Sequence, residues 1–225
     1  MQLKLGHGPF VYDFEFTIPD VENVGLFLSG GLDSSALLCC IIEELNRTNR
    51  SDLPLHIWTC NKPPDPVNGA RMVKVISEEY NRKIIYHDNY DVPQEAIAMG
   101  IIDISAVKDA YDKFDSIQMY LAGNNSWEKT QWADLVNLHD QEHHLKLPWH
   151  YPEHAHITYP FLNLLKLHTI DIYYKLGKEH LMAYTHSCSR QEAPACEECY
   201  SCREAAHGFK MLGKQRPSFI PHERD

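Results

Sequence analysis

The chain has 225 residues and a formal net charge of −10, from 21 Lys and Arg against 31 Asp and Glu. At about 100–200 residues per domain this is one domain, with or without a small appendage, and a chain this long buries a core without needing disulfides. The acidic balance excludes a protein that holds nucleic acid by bulk charge, and 44% hydrophobic residues exclude a disordered chain.

No apolar run approaches the ~20 residues needed to span a bilayer. The longest, 36–42, reads as a buried helix. Met1-Gln2-Leu3-Lys4 is followed by no apolar secretory core, so a cytoplasmic, reducing location is expected, and the seven cysteines need an explanation other than disulfides. Cys39, Cys40 and Cys60 lie in apolar surroundings and read as small buried hydrophobes.

Along the chain, Phe10, Tyr12, Phe14 and Phe16 alternate with Val11, Asp13 and Glu15 after the turn candidate Gly6-His7-Gly8-Pro9, which predicts a hairpin over the first twenty residues. Residues 24–28 form a nearly all-apolar run of the kind buried on both faces of a parallel sheet. A helix is expected over 35–45, a strand over 55–60, a helix over 68–80 and a strand over 84–86. A helix over 105–114, a strand over 117–121 and a helix over 127–138 follow. Residues 139–158 read as loop, 169–176 as a helix stopped by Gly177, 181–184 as a last short strand, and 202–212 as a final helix. This alternation predicts an α/β fold, a Rossmann-like parallel sheet flanked by helices. No repeat or low-complexity tract is evident.

The sharpest feature is Leu28-Ser29-Gly30-Gly31-Leu32-Asp33-Ser34-Ser35, set between a buried strand and an apolar helix. Glycines let the backbone turn tightly, and loop N–H groups and a helix N-terminus then face an anion. Ser29, Ser34 and Ser35 add hydroxyl donors. No Gly-Lys-Ser/Thr follows, so this is not a Walker A loop. A capped Gly-Gly turn is the plainer alternative. The pattern resembles the PP-loop of ATP pyrophosphatases, which transfer AMP to a substrate oxygen. That resemblance implies that Asp33 acts through Mg²⁺ or caps its own helix.

Cys188 is followed by Cys196, Cys199 and Cys202. Four thiolates at this density suit tetrahedral Zn²⁺ in a closed, structural site. An iron–sulfur cluster or a redox Cys-x-x-Cys pair are the other readings, with His186 and His207 as substitute ligands.

A PP-loop followed by a C-terminal four-cysteine knot resembles the 7-cyano-7-deazaguanine synthase family, the ATP-dependent nitrile-forming enzymes of the queuosine pathway. Residues 28–34 fit its PP-loop. Tyr159-Pro160-Phe161 with Lys166, Thr185-His186-Ser187-Cys188, and the stretch from Cys196 to Arg203 with Gly208-Phe209 fit its later segments in the same order. The family's Gly-Arg-Asn segment, expected near residues 99–102, and its Tyr-Pro-Asp-Cys-Arg segment, expected after Gly123-Asn124, are missing. Both belong to the substrate end of the family's site.

The resemblance implies three parts: an extra hairpin over 1–22, a nucleotide-binding domain over 23–184, and a zinc-binding segment with its helix over 185–225. It implies ATP, Mg²⁺ and Zn²⁺ as cofactors and Leu28, Ser29, Gly30, Gly31, Leu32, Asp33, Ser34 and Ser35 at the phosphates. Thr59 and Cys60 fall near the adenine. Asp33 and Lys166 are the candidate catalytic residues, Lys166 for charge developing near the substrate or α-phosphate. The implied reaction adenylates a carboxylate (7-carboxy-7-deazaguanine), displaces AMP with ammonium, then activates the amide again and eliminates to a nitrile. A small-molecule substrate, a homodimer, no membrane and no direct nucleic acid are the expected partners.

The histidine-rich loop (His139, His143, His144, His150, His154 and His156) invites a second metal site, but Pro152 breaks any helix that would align His150 and His154. Trp149 and Tyr151 suit stacking on a planar base. Three other functions fit less of the sequence: a PP-loop enzyme that modifies tRNA, adenylation of a different carboxylate, and a non-catalytic nucleotide-binding protein. The loop also resembles the synthetase half of asparagine synthetases, to which the cysteine knot does not belong.

Overall fold

A computed structural model describes residues 1–61, 68–87, 90–91, 117–120, 122, 157–188 and 195–220. The expected helices over 105–114 and 127–138, the sites of the two missing family segments and most of the histidine-rich loop lie outside the described residues.

Strands β1 (Gln2–Leu5) and β2 (Tyr12–Glu15) pair antiparallel with Leu5 opposite Tyr12, and a single 3₁₀ turn, Gly8–Phe10, joins them. The period-two pattern puts Phe14 and Phe16 into the core with Leu5. Then come β3 (Asn23–Leu28), α1 (Leu32–Arg47), β4 (Leu55–Asn61), α2 (Asn68–Glu79), β5 (Ile85–Tyr86), β6 (Tyr90–Asp91), β7 (Ile117–Tyr120) and β8 (Ile157–Thr158). The last helices are α3 (Lys166–Leu176) and α4 (Tyr200–Met211).

The six strands β3 to β8 form one parallel sheet in the order β5-β4-β3-β7-β8, with β6 alongside the far end of β4. Strand β3 runs through the middle, flanked by β4 and β7. The chain therefore crosses to opposite sides of β3, and the crevice at the carboxyl end of β3 is where ligands bind in such sheets. Gly25, in the first half of β3, lets the flanking side chains pack closely over the strand: a Cβ would lie 2.3 Å from Met119 Sδ and 2.9 Å from Trp58 Cζ3.

Two sequence readings need correction. Residues 181–184 belong to a 3₁₀ helix, Glu179–Tyr184, rather than a strand. A four-residue apolar run carries no usable period, and the bonds from Leu181 N–H to Lys178 O and Thr185 N–H to Met182 O close it locally. Residues 157–158, placed in a loop, form β8, because they meet Met119 and Tyr120 of β7.

The hairpin braces α3. His168 Nε2 bonds Phe10 O at 2.7 Å while its Nδ1 accepts the Leu165 N–H at 3.0 Å, which fixes a neutral imidazole protonated on Nε2. Burial lowers the His168 pKa and so favours that form. Asp171 accepts the Gly6 N–H at 2.8 Å.

Candidate active site and cysteine cluster

The loop between β3 and α1 turns at Gly30, whose φ of +74° is a left-handed conformation that glycine adopts without strain. Its serines hold one another: the Ser29 N–H donates to Ser34 Oγ at 3.2 Å, the two hydroxyls lie 3.0 Å apart, and Gly31 N–H reaches Ser29 Oγ at 3.4 Å. Ser29, Gly31 and Asp33 are half-buried, whereas Leu28, Gly30, Leu32, Ser34 and Ser35 are buried. Surface chemistry at this loop therefore rests on the first three, with the others shaping the backbone.

Asp33 lies in the first turn of α1, where the helix N-terminus favours a carboxylate. Its Oδ2 accepts a hydrogen bond from Lys166 Nζ, and Lys166 also lies 3.2 Å from Glu204 Oε2. Lys166 and Glu204 are buried. Burial by itself lowers the Lys166 pKa, but Asp33 and then Glu204 outweigh it and hold the ammonium well above its ordinary range. Lys166 is therefore an interior cation flanked by two carboxylates. The sequence reading missed Glu204. Its position two residues beyond Cys202 was the available signal.

The approach of α4 to α3 depends on Gly208, one turn beyond Glu204. A Cβ there would lie 2.9 Å from Ile170 Cδ1 and 3.2 Å from the Leu167 nitrogen. From α3, Tyr173 also donates its hydroxyl to Leu32 O at 2.9 Å.

Asp33 Oδ1 is buried and has no hydrogen-bond partner. A buried carboxylate oxygen is costly to leave so, and a divalent cation is one group that satisfies it. Asp33 thus fits a Mg²⁺ ligand.

Thr59 pairs in register with Leu28, at the foot of the loop, and its hydroxyl bonds Tyr86 OH at 2.9 Å. Cys60 lies on the same strand, opposite Tyr90. Gly69 of α2 seats against both strands, since a Cβ would meet Thr59 Cγ2 at 2.6 Å and Leu28 O at 3.0 Å. Two residues on, the Arg71 guanidinium lies over the rings of Tyr184 (5.1 Å) and Phe219 (5.7 Å). Phe219 meets His186 edge-on, and the His186 N–H donates to Gly30 O at 3.0 Å. Arg71 is a second residue the sequence reading missed, a cation at the carboxyl edge of the sheet. A cavity of about 400 Å³, lined by Asn46, Asp52, Asn81, Arg82 and Lys83 among others, opens instead at the opposite edge.

The four cysteines 188, 196, 199 and 202 converge, with all four Sγ atoms within 4.8 Å of one another. Cys188 Sγ is 3.5 Å from Cys196 Sγ and 3.8 Å from Cys199 Sγ. Zn–S bonds of about 2.3 Å place tetrahedral sulfurs roughly 3.8 Å apart, so the set fits a single ion. A four-iron cluster sets an iron under each sulfur and spreads the sulfurs further apart. Burial, then hydrogen bonding with Cys199, pushes the Cys202 thiol up to about 12, which a bound cation would reverse. Cys39 and Cys40 are buried and their thiols are also pushed up, chiefly by burial, as inert core residues are. Cys188 and Cys202 are buried, and Cys196 and Cys199 are half-buried.

A parallel α/β sheet with a serine–glycine loop of PP-loop pattern at the carboxyl end of its central strand defines a Rossmann-like α/β architecture. A solved structure of that architecture, the U34-tRNA thiolase NcsA from Methanococcus maripaludis with its [4Fe-4S] cluster, superposes with a TM-score of 0.50. It covers 86% of this chain and 72% of its own at 13% identity, a likeness of fold. Residues 121–213 match the family described as queuosine biosynthesis protein QueC. A 7-cyano-7-deazaguanine synthase from Chromobacterium violaceum is 33% identical over 58 residues, 26% of this chain. The match spans about a quarter of that relative's length (25%). The chain is thus similar to QueC family proteins over residues 121–213 and to a 7-cyano-7-deazaguanine synthase over 58 residues. Among the described residues, no helix is long and apolar enough to cross a membrane.

Proposed function

We propose that this chain is an ATP-dependent carbon–nitrogen ligase that adenylates the carboxylate of 7-carboxy-7-deazaguanine, displaces AMP with ammonia to form the amide, then adenylates the amide oxygen with a second ATP and eliminates AMP to give 7-cyano-7-deazaguanine. The observation that carries this reading is Asp33. It stands at the N-terminus of α1 in a QueC-like chain, held by Lys166, with one buried oxygen unpartnered.

A carboxylate is a poor electrophile, and transfer of AMP to it creates a mixed anhydride with a good leaving group. The chain's part is positioning and charge stabilisation. The Ser29–Gly31 turn and the first turn of α1 receive the phosphates that leave as pyrophosphate. Mg²⁺ bound at Asp33 would neutralise phosphate charge. Lys166, with one of its three N–H donors beyond those turned to Asp33 and Glu204, acts chiefly as a positioning residue for Asp33. Thr59 and Cys60 border the adenine. Zn²⁺ at Cys188, Cys196, Cys199 and Cys202 has four protein ligands and no open position, so its role is structural.

The test incubates zinc-loaded protein with ATP, Mg²⁺, ammonium and 7-carboxy-7-deazaguanine, reading products by mass spectrometry. A nitrile or amide product that vanishes in Asp33→Ala supports the reading. AMP formed only with another carboxylate moves it to a different acceptor. A PP-loop enzyme that adenylates tRNA is the second reading, favoured by the fold it shares with a tRNA thiolase. The net charge of −10 weighs against it, and a steeply salt-dependent tRNA complex would support it.

A further inference from the structure

Both flanks of the cysteine cluster reach the phosphate loop. On the upstream side, Ser187 precedes Cys188, and its Oγ accepts the Leu32 N–H at 2.9 Å. Its neighbour His186 donates its N–H to Gly30 O at 3.0 Å. A Cβ on Gly31 would lie 3.1 Å from Ser187 Oγ, so the loop and the 186–187 segment are in van der Waals contact. On the downstream side, Glu204 follows Cys202 by two residues and meets Lys166, which holds Asp33.

Leu32 opens α1, and its N–H is one of the four that a helix leaves without an internal partner. In a phosphate loop such a donor is expected to face the anion. Here it is turned to Ser187. A hydroxyl that accepts one hydrogen bond still carries its own O–H donor. Ser187 therefore extends the helix N-terminus by one atom, taking the Leu32 N–H and presenting an O–H in its place. It directly precedes Cys188 in the chain.

We propose that Ser187 is a phosphate-loop positioning residue, and that metal held by the four cysteines fixes the loop through Ser187 on one side and Glu204 on the other. The metal then governs nucleotide binding from outside the reacting centre. This inference rests on the nucleotide reading of the loop only for its consequence. The mechanical link stands on the contacts themselves.

The test is amide hydrogen–deuterium exchange on the full chain, read by mass spectrometry for peptides covering 29–35 and 36–45. Four samples are compared: zinc-loaded wild type, chelator-treated wild type, and zinc-loaded Ser187→Ala and Ser187→Thr, with zinc content measured for each. The loss of one hydrogen bond predicts exchange in 29–35 about two- to tenfold faster in the chelated protein and in Ser187→Ala. It predicts near-wild-type exchange in Ser187→Thr and no change in 36–45. Unchanged exchange in 29–35 on zinc removal or in Ser187→Ala overturns the proposal. So does an equal rise in both peptides, which reports global loosening. Mg·ATP affinity should fall in the same order. If exchange follows the prediction while no sample binds Mg·ATP, the link stands and the nucleotide reading falls.

Discussion

Lys166, the first residue of α3, donates to Asp33 in the first turn of α1, and both helices are fixed by that one ammonium. Glu204 on α4 completes the set at 3.2 Å. A lysine that the sequence offers as a ligand for substrate charge is thus committed to two carboxylates inside the protein, and Asp33 owes its place to it.

Removing the cation leaves two carboxylates without their counter-charge, a change that costs about 3–5 kcal/mol at buried sites. Lys166→Met is expected to lower unfolding free energy by that order in urea titrations at pH 7. Adding Glu204→Gln should recover part of the loss. A Lys166→Met protein as stable as wild type would contradict the buried pairing.

Acid should expose a second ion pair. Glu44 is buried and meets the Met1 ammonium at 2.5 Å and Arg47 at 2.7 Å. Burial raises its pKa, but the bond to Arg47 and then that to the N-terminus outweigh it, so the net shift is downward. A depressed carboxylate contributes stability above its unfolded value of about 4.3, lost as pH falls through the folded value. Wild type should therefore exceed Glu44→Gln by a constant margin between about pH 6 and 7, with the margin shrinking below about pH 4.5. A margin undiminished at pH 3 would contradict this.

The helix contact that brings Glu204 to Lys166 depends on Gly208. Gly208→Val is expected to force α4 from α3 and to cost about 1–3 kcal/mol through overpacking. Loss of Mg·ATP affinity should accompany it, since the Lys166–Glu204 spacing opens. Calorimetric titration alongside urea unfolding checks both.

Stoichiometric metal is expected at the cysteine cluster. Metal analysis of protein purified without added zinc should give one equivalent of zinc and no iron. Any of the Cys188, Cys196, Cys199 or Cys202 to Ser changes should lower it sharply, because zinc binding contributes on the order of 10 kcal/mol to local folding. Iron with inorganic sulfide would overturn the single-ion reading drawn from the 3.5 and 3.8 Å sulfur separations.

Local chemistry was legible in the sequence where a short segment carries it whole. The β3–loop–α1 unit shows in its apolar strand, glycines and apolar helix. The cysteine cluster shows in its spacing, and the hairpin in alternating aromatics. Ser187 and Glu204 were not legible as partners of the loop. Their roles arise from contacts with Leu32 and Lys166, 155 and 38 residues away in sequence, that only the packing of α1, α3 and α4 creates. Arg71 was hidden for the same reason, its ring partners lying in a 3₁₀ helix and in the C-terminal tail. The bracing role of the hairpin likewise depends on His168 and Asp171, on a distant helix.

The most direct measurement is which bond of ATP breaks. Zinc-loaded protein is mixed with ATP, Mg²⁺, ammonium and 7-carboxy-7-deazaguanine, and nucleotide products are separated by chromatography. The account predicts AMP and pyrophosphate in equal amounts, dependent on the carboxylate and abolished by Asp33→Ala. ADP and phosphate, or AMP undiminished in Asp33→Ala, would contradict it.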